Sequence, residues 1–164
     1  DSLGCAVAMD KDSTKQILWK TGVGRHLPES ACIKKTVTVP WNSLGLSFPV
    51  VVKPCSGGSS IGVYIVNTEE EYRQALKNSF RYENEVVVET YIKGREFACG
   101  VIDGKALPPI EIIPKNGWFD YANKYQANAT EEVCPADISE EIAERMKALT
   151  VRAFQALKLN VYTG

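Results

Sequence analysis

Lys53 closes a valine run, Val50-Val51-Val52, and the chain continues Pro54-Cys55-Ser56-Gly57-Gly58-Ser59-Ser60-Ile61-Gly62-Val63. Exposed backbone N–H groups in such a Gly/Ser loop can form an anion-binding concavity, and glycine lets the backbone approach phosphate oxygens closely. A lysine at the strand end adds a full positive charge to that loop. The order is not that of a P-loop, in which G-x-x-x-x-G-K-[ST] places the lysine after the glycines. On the loop alone, a plain hairpin turn and a phosphate cradle fit equally well.

Other candidates are weaker singly. Glu89-Thr90-Tyr91-Ile92 leaves a valine strand for Lys93-Gly94-Arg95-Glu96-Phe97, and a strand running into a glycine turn could be a hinge whose backbone pairs with a planar base. Taken by itself, an ordinary solvated turn is the better reading. Lys11 begins a helix and Lys124-Tyr125 lies in a polar stretch; isolated lysines are usually just solvated. The one histidine, His26, has no Ser/His/Asp set around it, which argues against triad hydrolysis. The five cysteines (Cys5, Cys32, Cys55, Cys99, Cys134) are odd in number and contain no C-x-x-C, so neither a disulfide framework nor a zinc knuckle is expected. That usage suits a reducing cytosol. A hard cation needs only one or two carboxylates beside phosphates; Glu111 is a candidate that nothing in the spacing singles out.

The elements that must position these residues read as follows. Asp10–Thr21 has helix formers and a stop at Gly22, and Ile33–Val39 alternates as a strand. The apolar run 49–53 is a strand covered on both faces, and 62–66 is another. Thr68-x-x-Glu71 is a capping box, with Tyr72, Leu76 and Phe80 four apart on the helix that follows. Residues 85–89 return to strand. Phe97–Ile102 and Leu107–Ile113 flank Asp103-Gly104, a dipeptide favoured in tight hairpins, although the four-residue gap fits a slightly longer loop equally well. From Pro114 to about Val133 no period is evident, and a long loop is expected. Such loops inside compact domains are usually functional or disordered. A helix over 139–158 puts Ile142, Met146, Leu149, Ala153 and Leu157 on one face. The order is α+β with mixed or antiparallel sheets; a Rossmann alternation with G-x-G-x-x-G is missing. The chain has 164 residues, 45% hydrophobic and 24% charged, with net charge −1. This is globular, and it offers no bulk attraction to nucleic acid or an anionic membrane. No apolar stretch approaches the roughly 20 residues that span a bilayer. Asp1 in place of a methionine, and an ending at Val161-Tyr162-Thr163-Gly164 like the start of a strand, lead us to expect a fragment.

Taken in series, Met9-Asp10-Lys11, Val52-Lys53-Pro54 with Gly58-Ser59-Ser60-Ile61-Gly62-Val63, Val88-Glu89 with Gly94-Arg95-Glu96-Phe97, Phe119-Asp120-Tyr121 with Lys124-Tyr125, Cys134-Pro135-Ala136 and Tyr162-Thr163-Gly164 resemble the D-alanine–D-alanine ligases of the ATP-grasp superfamily. The resemblance runs in one order over essentially the whole chain. It implies an ATP-grasp fold of two small α+β lobes, with the C-terminal lobe truncated. The implied divisions are a linker-helix region over 1–30, a nucleotide-binding subdomain over 31–92, and the start of the C-terminal subdomain with its lid over 93–164. It implies that Lys11 and Lys53 bind ATP phosphates, and that Glu89, Tyr91 and Ile92 hold adenine while Glu96 takes the ribose hydroxyls. Gly58, Ser59 and Ser60 would form a mobile flap over the phosphates. Lys124 and Tyr125 would form a lid, with Lys124 near the transferred phosphoryl group and Tyr125 hydrogen-bonded toward Ser59. The Lys-Tyr pair favours an amino-acid acceptor. The implied reaction phosphorylates one D-alanine with ATP, then joins a second through its amine, for peptidoglycan precursors in the cytoplasm. The arginine, the Mg²⁺ ligands and an N-terminal domain would lie outside these 164 residues, which alone would have no ligase activity. A homodimer is implied for the whole protein. Another ATP-grasp carboxylate–amine ligase and a non-catalytic nucleotide-binding module are the alternatives.

Overall fold

Among the described residues there are three antiparallel sheets, one of four strands in one compact unit and two of three strands in the other. The computed structural model describes residues 2–160 and 162–163. One unit comprises 9–12 and 27–93; the other comprises 1–8, 13–26 and 94–164.

The first unit is a four-stranded sheet with one helix on it. The strands are β1 (Ser30–Lys34), β2 (Val50–Pro54), β3 (Tyr64–Val66) and β4 (Glu85–Thr90), in the order β1-β4-β2-β3. Register decides which residues share a face. Val52 faces Val88 across β2 and β4, and Lys53 faces Val87. Because side chains alternate, Ile33, Val50, Val52, Val66, Val86 and Val88 point one way and build the core with Tyr72 and Ala75 of helix α3 (Glu69–Ser79). Cys32, Glu85, Val87, Glu89, Val51 and Lys53 point the other way. Helix α3 begins where its capping box predicts: Thr68 Oγ1 accepts from Glu71 N at 3.2 Å. The return bond differs, since Glu71 Oε2 accepts from Asn67 N at 2.7 Å instead of from Thr68. The expected strand over 33–39 is shorter and earlier, Ser30–Lys34, because Val37 N bonds back to Lys34 O in a turn.

In the second unit, helices α1 (Ser2–Met9) and α2 (Lys11–Trp19) replace the single helix expected from residue 10; Lys11 of α2 and Asp12 belong to the first unit. Of the two strands expected around Asp103-Gly104, the first (97–102) is split in two, while the second (107–113) begins only at Ile110 and a separate two-residue strand, Lys105–Ala106, precedes it. β5 (Glu96–Ala98) pairs with β8 (Ile110–Pro114), while β6 (Val101–Ile102) pairs with β7 (Lys105–Ala106) in a different sheet. Gly100 and the Pro108-Pro109 pair mark the breaks, since proline brings no N–H to a ladder. Between β6 and β7, Asp103 and Gly104 both take positive φ (49° and 74°), the two-residue turn their identities favour.

The stretch read as one long loop contains helix α4 (Tyr121–Tyr125) and strand β9 (Thr130–Val133), which pairs with β8. Asp120 caps α4, its Oδ1 accepting from Asn123 N at 2.8 Å. Asn123 is buried, and its Nδ2 donates to the carbonyls of Asn116 and Trp118 at 2.8 and 2.7 Å. Helix α5 (Glu140–Ala156) follows its Ser139 cap and packs on β6 and β7. Phe154 anchors it with Val101 and Leu159, whereas Ile142, expected on the buried face, is exposed. Tyr162–Thr163 forms β10 beside β6; Val161 and Gly164, the ends of that expected strand, lie outside the described residues.

Candidate functional site

On the sheet face opposite α3, strand β2 delivers Lys53 and strand β4 delivers Glu89, and the two side chains form an ion pair. Their registry explains the meeting: Lys53 faces Val87 and Val51 faces Glu89, so the lysine reaches diagonally across neighbouring strands. The Lys53 side chain is 20% exposed and that of Glu89 10%, so the pair is mostly withdrawn from water.

Lys11 is brought to the same end of the sheet through backbone as well as side chain. Its N donates to Cys55 O at 2.9 Å, and its Nζ donates to Cys55 O at 3.1 Å and to Gly57 O at 2.6 Å. Burial pushes the Lys11 amine below the usual lysine range, and the neighbouring charge of Lys53 pushes it the same way. Two ammonium groups close enough to repel are a place where an added anion is favoured.

Beyond Lys53 the loop is fastened at its base. Ser56 N donates to Glu83 Oε2 at 2.8 Å and its hydroxyl also bonds to Glu83. Farther along, Ile61 N donates to Gly58 O at 3.0 Å. Ser59 and Ser60 both adopt positive φ, 55° and 58°. Gly62 closes the loop at φ 72°, where a Cβ would also stand 2.8 Å from the Tyr82 ring. At Gly58 a Cβ would meet nothing within 4 Å, so that position opens on empty space. Tyr91 is tied back by its N to Pro49 O at 3.1 Å, and Ile92 is exposed.

The structure thus gathers Lys11, Lys53, Gly58, Ser59, Ser60, Glu89, Tyr91 and Ile92 in one unit, while Glu96, Lys124 and Tyr125 belong to the other. There, Glu96 opens β5 and is exposed. Lys124 Nζ lies 4.9 Å from the centre of the Phe119 ring, and the Tyr125 ring lies 4.8 Å from that of Tyr121. Arg95 grips the buried Glu111 with two bonds, Nε to Oε1 at 2.5 Å and Nη2 to Oε2 at 2.6 Å, and also donates to Asp137 O at 2.8 Å. That grip holds the Glu111 carboxyl below its ordinary range. Sequence reasoning missed the anchors: Glu83 under Ser56, the Cys55 carbonyl under Lys11, and Asn123 inside the lid stretch. Only the last carried a readable signal, Asp120-x-x-Asn123 as a helix cap.

Known proteins resemble this chain over nearly its whole length. A D-alanine–D-alanine ligase of Pediococcus pentosaceus is 38% identical over 98% of this chain and 45% of its own length. The crystal structure of the Bacillus anthracis D-alanine–D-alanine ligase superposes with a TM-score of 0.86 at 38% identity, covering 99% of this chain and 53% of that one. A second structure of the B. anthracis enzyme, complexed with ATP, gives a TM-score of 0.78 at 32% identity over 99% of this chain and 50% of that one. The chain spans about half the length of the curated relatives it matches. Because residues 33–163 match the family described as the D-ala D-ala ligase C-terminus, and the antiparallel sheets superpose on a ligase of that fold, the chain belongs to the D-alanine–D-alanine ligase C-terminal family of the ATP-grasp superfamily.

Proposed function

We propose that the protein carrying this chain is an ATP-dependent ligase that joins two D-alanines for peptidoglycan precursors. The observation that carries the reading is the convergence of Lys11 and Lys53 at the root of the Gly57–Ser60 loop. In this reading the two lysines receive ATP phosphates, and the backbone N–H groups of Gly58, Ser59 and Ser60 close over the terminal phosphate. The open space at Gly58 supports it, since a backbone with no side chain can press against an oxygen there. Tyr91 and Ile92 take the adenine. Glu89 holds Lys53 in position besides bordering that base, and Glu96 takes the ribose hydroxyls. Lys124 and Tyr125 cover the acceptor site.

The chemistry has two steps. A carboxylate oxygen of the first D-alanine attacks the γ-phosphorus, the bond to the bridging oxygen breaks, and ADP leaves with D-alanyl phosphate formed. The amine of the second D-alanine then attacks the acyl carbon, phosphate departs with the bonding pair, and the amine gives up a proton. Such transfer needs positioned cations more than a covalent nucleophile. Lys53, Lys11 and Lys124 supply three.

The family's chemistry also implies Mg²⁺, and the described residues do not fit it. Glu111 is committed to Arg95, and the one cluster of three potential ligands among the described residues includes two thiols, poor partners for a hard ion. No step is derived through it. We further place the reaction in the cytoplasm, where ATP is made, in a homodimer; no helix among the described residues is long and apolar enough to cross a membrane.

The test is ADP release by the full-length protein with ATP and D-alanine, with and without Lys53→Met. D-alanine-dependent release that Lys53→Met abolishes is expected. ATP binding that ignores every D-amino acid would refute the ligase and leave a nucleotide-binding module. ATP-driven ligation of another amino acid would refute D-alanine as the substrate.

A further inference from the structure

Beside the lysines, the same sheet face carries a second group of donors that the proposed ligase chemistry leaves unused. Cys32 of β1 and Cys55, next after β2, hold their sulfurs 3.7 Å apart. A carboxylate oxygen of Glu85 in β4 joins them, and the three donor atoms all lie within 4.8 Å of one another. Cys55 is 2% exposed; Cys32 is half-buried.

The strand order determines what the two sulfurs can do. Cys32 faces Val87 on one side of β4, and Cys55 N donates to Glu85 O at 3.1 Å on the other. Two strand spacings, roughly 9–10 Å, therefore separate the two backbones. A disulfide needs Cα atoms about 4.4–6.8 Å apart, so direct joining would tear β4 from its ladder. One ion between the sulfurs asks for no such movement. Two zinc–sulfur bonds of about 2.3 Å at the tetrahedral angle span about 3.8 Å, close to the separation already present. Van der Waals contact between two thiols would also give that distance, and register with the Lys34 ion pair brings the Glu85 carboxylate to the same face; one ion would use all three donors.

We propose that Cys32, Cys55 and Glu85 form a binding site for one thiophilic divalent cation of the zinc class, with water as the fourth ligand. The third donor is available because Lys34 Nζ holds only Oε1 of Glu85, at 2.9 Å, and a carboxylate has two oxygens. The surrounding charges are mixed: Asp10 and Asp12 act on both thiols, while Lys11 and Lys34 are the opposing cations nearby.

The test uses the full-length protein, reduced and stripped of metal, titrated with Co²⁺ alone. A thiolate-to-cobalt charge-transfer band with tetrahedral d–d absorption should saturate at one equivalent and be displaced by Zn²⁺. Cys32→Ser and Cys55→Ala should each abolish it. Glu85→Gln should weaken binding about tenfold or more, and Cys5→Ser with Cys134→Ser should leave it intact. Circular dichroism checks the fold of each variant, and if the buried Cys55→Ala fails to fold, Cys32→Ser alone decides. A band that survives in Cys32→Ser, or no thiolate band at all, would overturn the site.

Discussion

The ion pair between Lys53 and Glu89 makes an unequal double-mutant cycle. Lys53→Met leaves a carboxylate, 10% exposed, with its principal cation gone. Breaking a buried pair in this way costs about 3 kcal/mol, the lower end of the usual range, because some water still reaches the site. Glu89→Leu leaves a lysine instead, and its four-carbon stem can carry the ammonium to solvent. Lys53 is already 20% exposed, so that variant should cost only about 1–2 kcal/mol. In Lys53→Met/Glu89→Leu both charges go, apolar groups of similar size replace them, and the loss should be about 1 kcal/mol. The coupling is then about 3–4 kcal/mol, on the order of 150- to 900-fold in the folding equilibrium. Urea unfolding of the intact protein, read through Trp41 stacked on Phe48 in the same unit, gives each value, with unchanged m-values as the control. ATP affinity is the second readout. It should fall about tenfold or more in Lys53→Met, the loss of a charge-assisted hydrogen bond, and the double variant should not recover it. Additivity within about 0.5 kcal/mol, or a larger loss from Glu89→Leu than from Lys53→Met, would refute this account of the pair.

Three other perturbations follow from the same geometry. The Tyr72 hydroxyl is buried with no hydrogen-bond partner among the described residues, and burial pushes its pKa up to about 12; Tyr72→Phe should therefore stabilise by about 1 kcal/mol, and destabilisation in urea melts would contradict it. Glu111 is held below its ordinary value of 4.5 by Arg95, so its contribution is present above 4.5 and lost as pH falls through the folded value. Arg95→Gln should make the acid limb of the stability curve shallower in that window, and an unchanged limb would show the grip to be inert. The Lys11 amine is depressed below 10.5 by burial and then by Lys53, so between its folded pKa and 10.5 the folded protein binds fewer protons than the unfolded chain. ATP binding in that alkaline window should take up a proton, seen by calorimetry in buffers of different ionisation enthalpy, and Lys53→Met should move the window upward. Binding with no proton uptake at any pH below 10.5 would count against the Lys11 role.

Local chemistry was legible in the sequence and long-range pairing was not. Thr68 before Glu71 and Asp103-Gly104 at a turn are decisions made within three or four residues, and both are in place, whereas Ser139, expected as the first helical residue, caps α5 from outside it. The split of β5–β6 and β7–β8 between two sheets depends instead on which strand is nearest in space, and two-residue strands have no periodicity to show. Helix α4 escaped notice for a related reason: one turn and a half is too short for an apolar stripe, and its stability comes from a buried asparagine bonding two loop carbonyls. In the candidate site, residue types pointed to Lys53 and the loop, and the serial resemblance added Lys11. The Glu83 and Cys55 anchors are backbone-directed contacts across 27 and 44 residues of chain, and neither residue type advertises that use.

The loop also reverses the usual reading of Gly-Gly-Ser-Ser. Glycines in turns are commonly explained by positive φ, yet here Gly57 and Gly58 are not among the residues with positive φ; Ser59 and Ser60 are. A side chain in that region strains the backbone by about 1–2 kcal/mol per residue, and such strain persists where surroundings impose it, often at ligand clamps. The glycines answer to space. A Cβ at position 57 would crowd Pro54 at 3.2 Å, whereas one at the exposed position 58 would meet nothing within 4 Å. A turn needing only to reverse direction would put glycine at the strained positions and a polar residue at the open one. The opposite arrangement keeps two hydroxyl-bearing residues in a costly conformation beside a bare stretch of backbone, next to two lysines that repel each other. Each of these features is unfavourable by itself, and a bound polyphosphate would turn all of them to use: it would draw the ammonium groups together, meet the bare backbone at Gly58 and receive the N–H and O–H groups of Ser59 and Ser60.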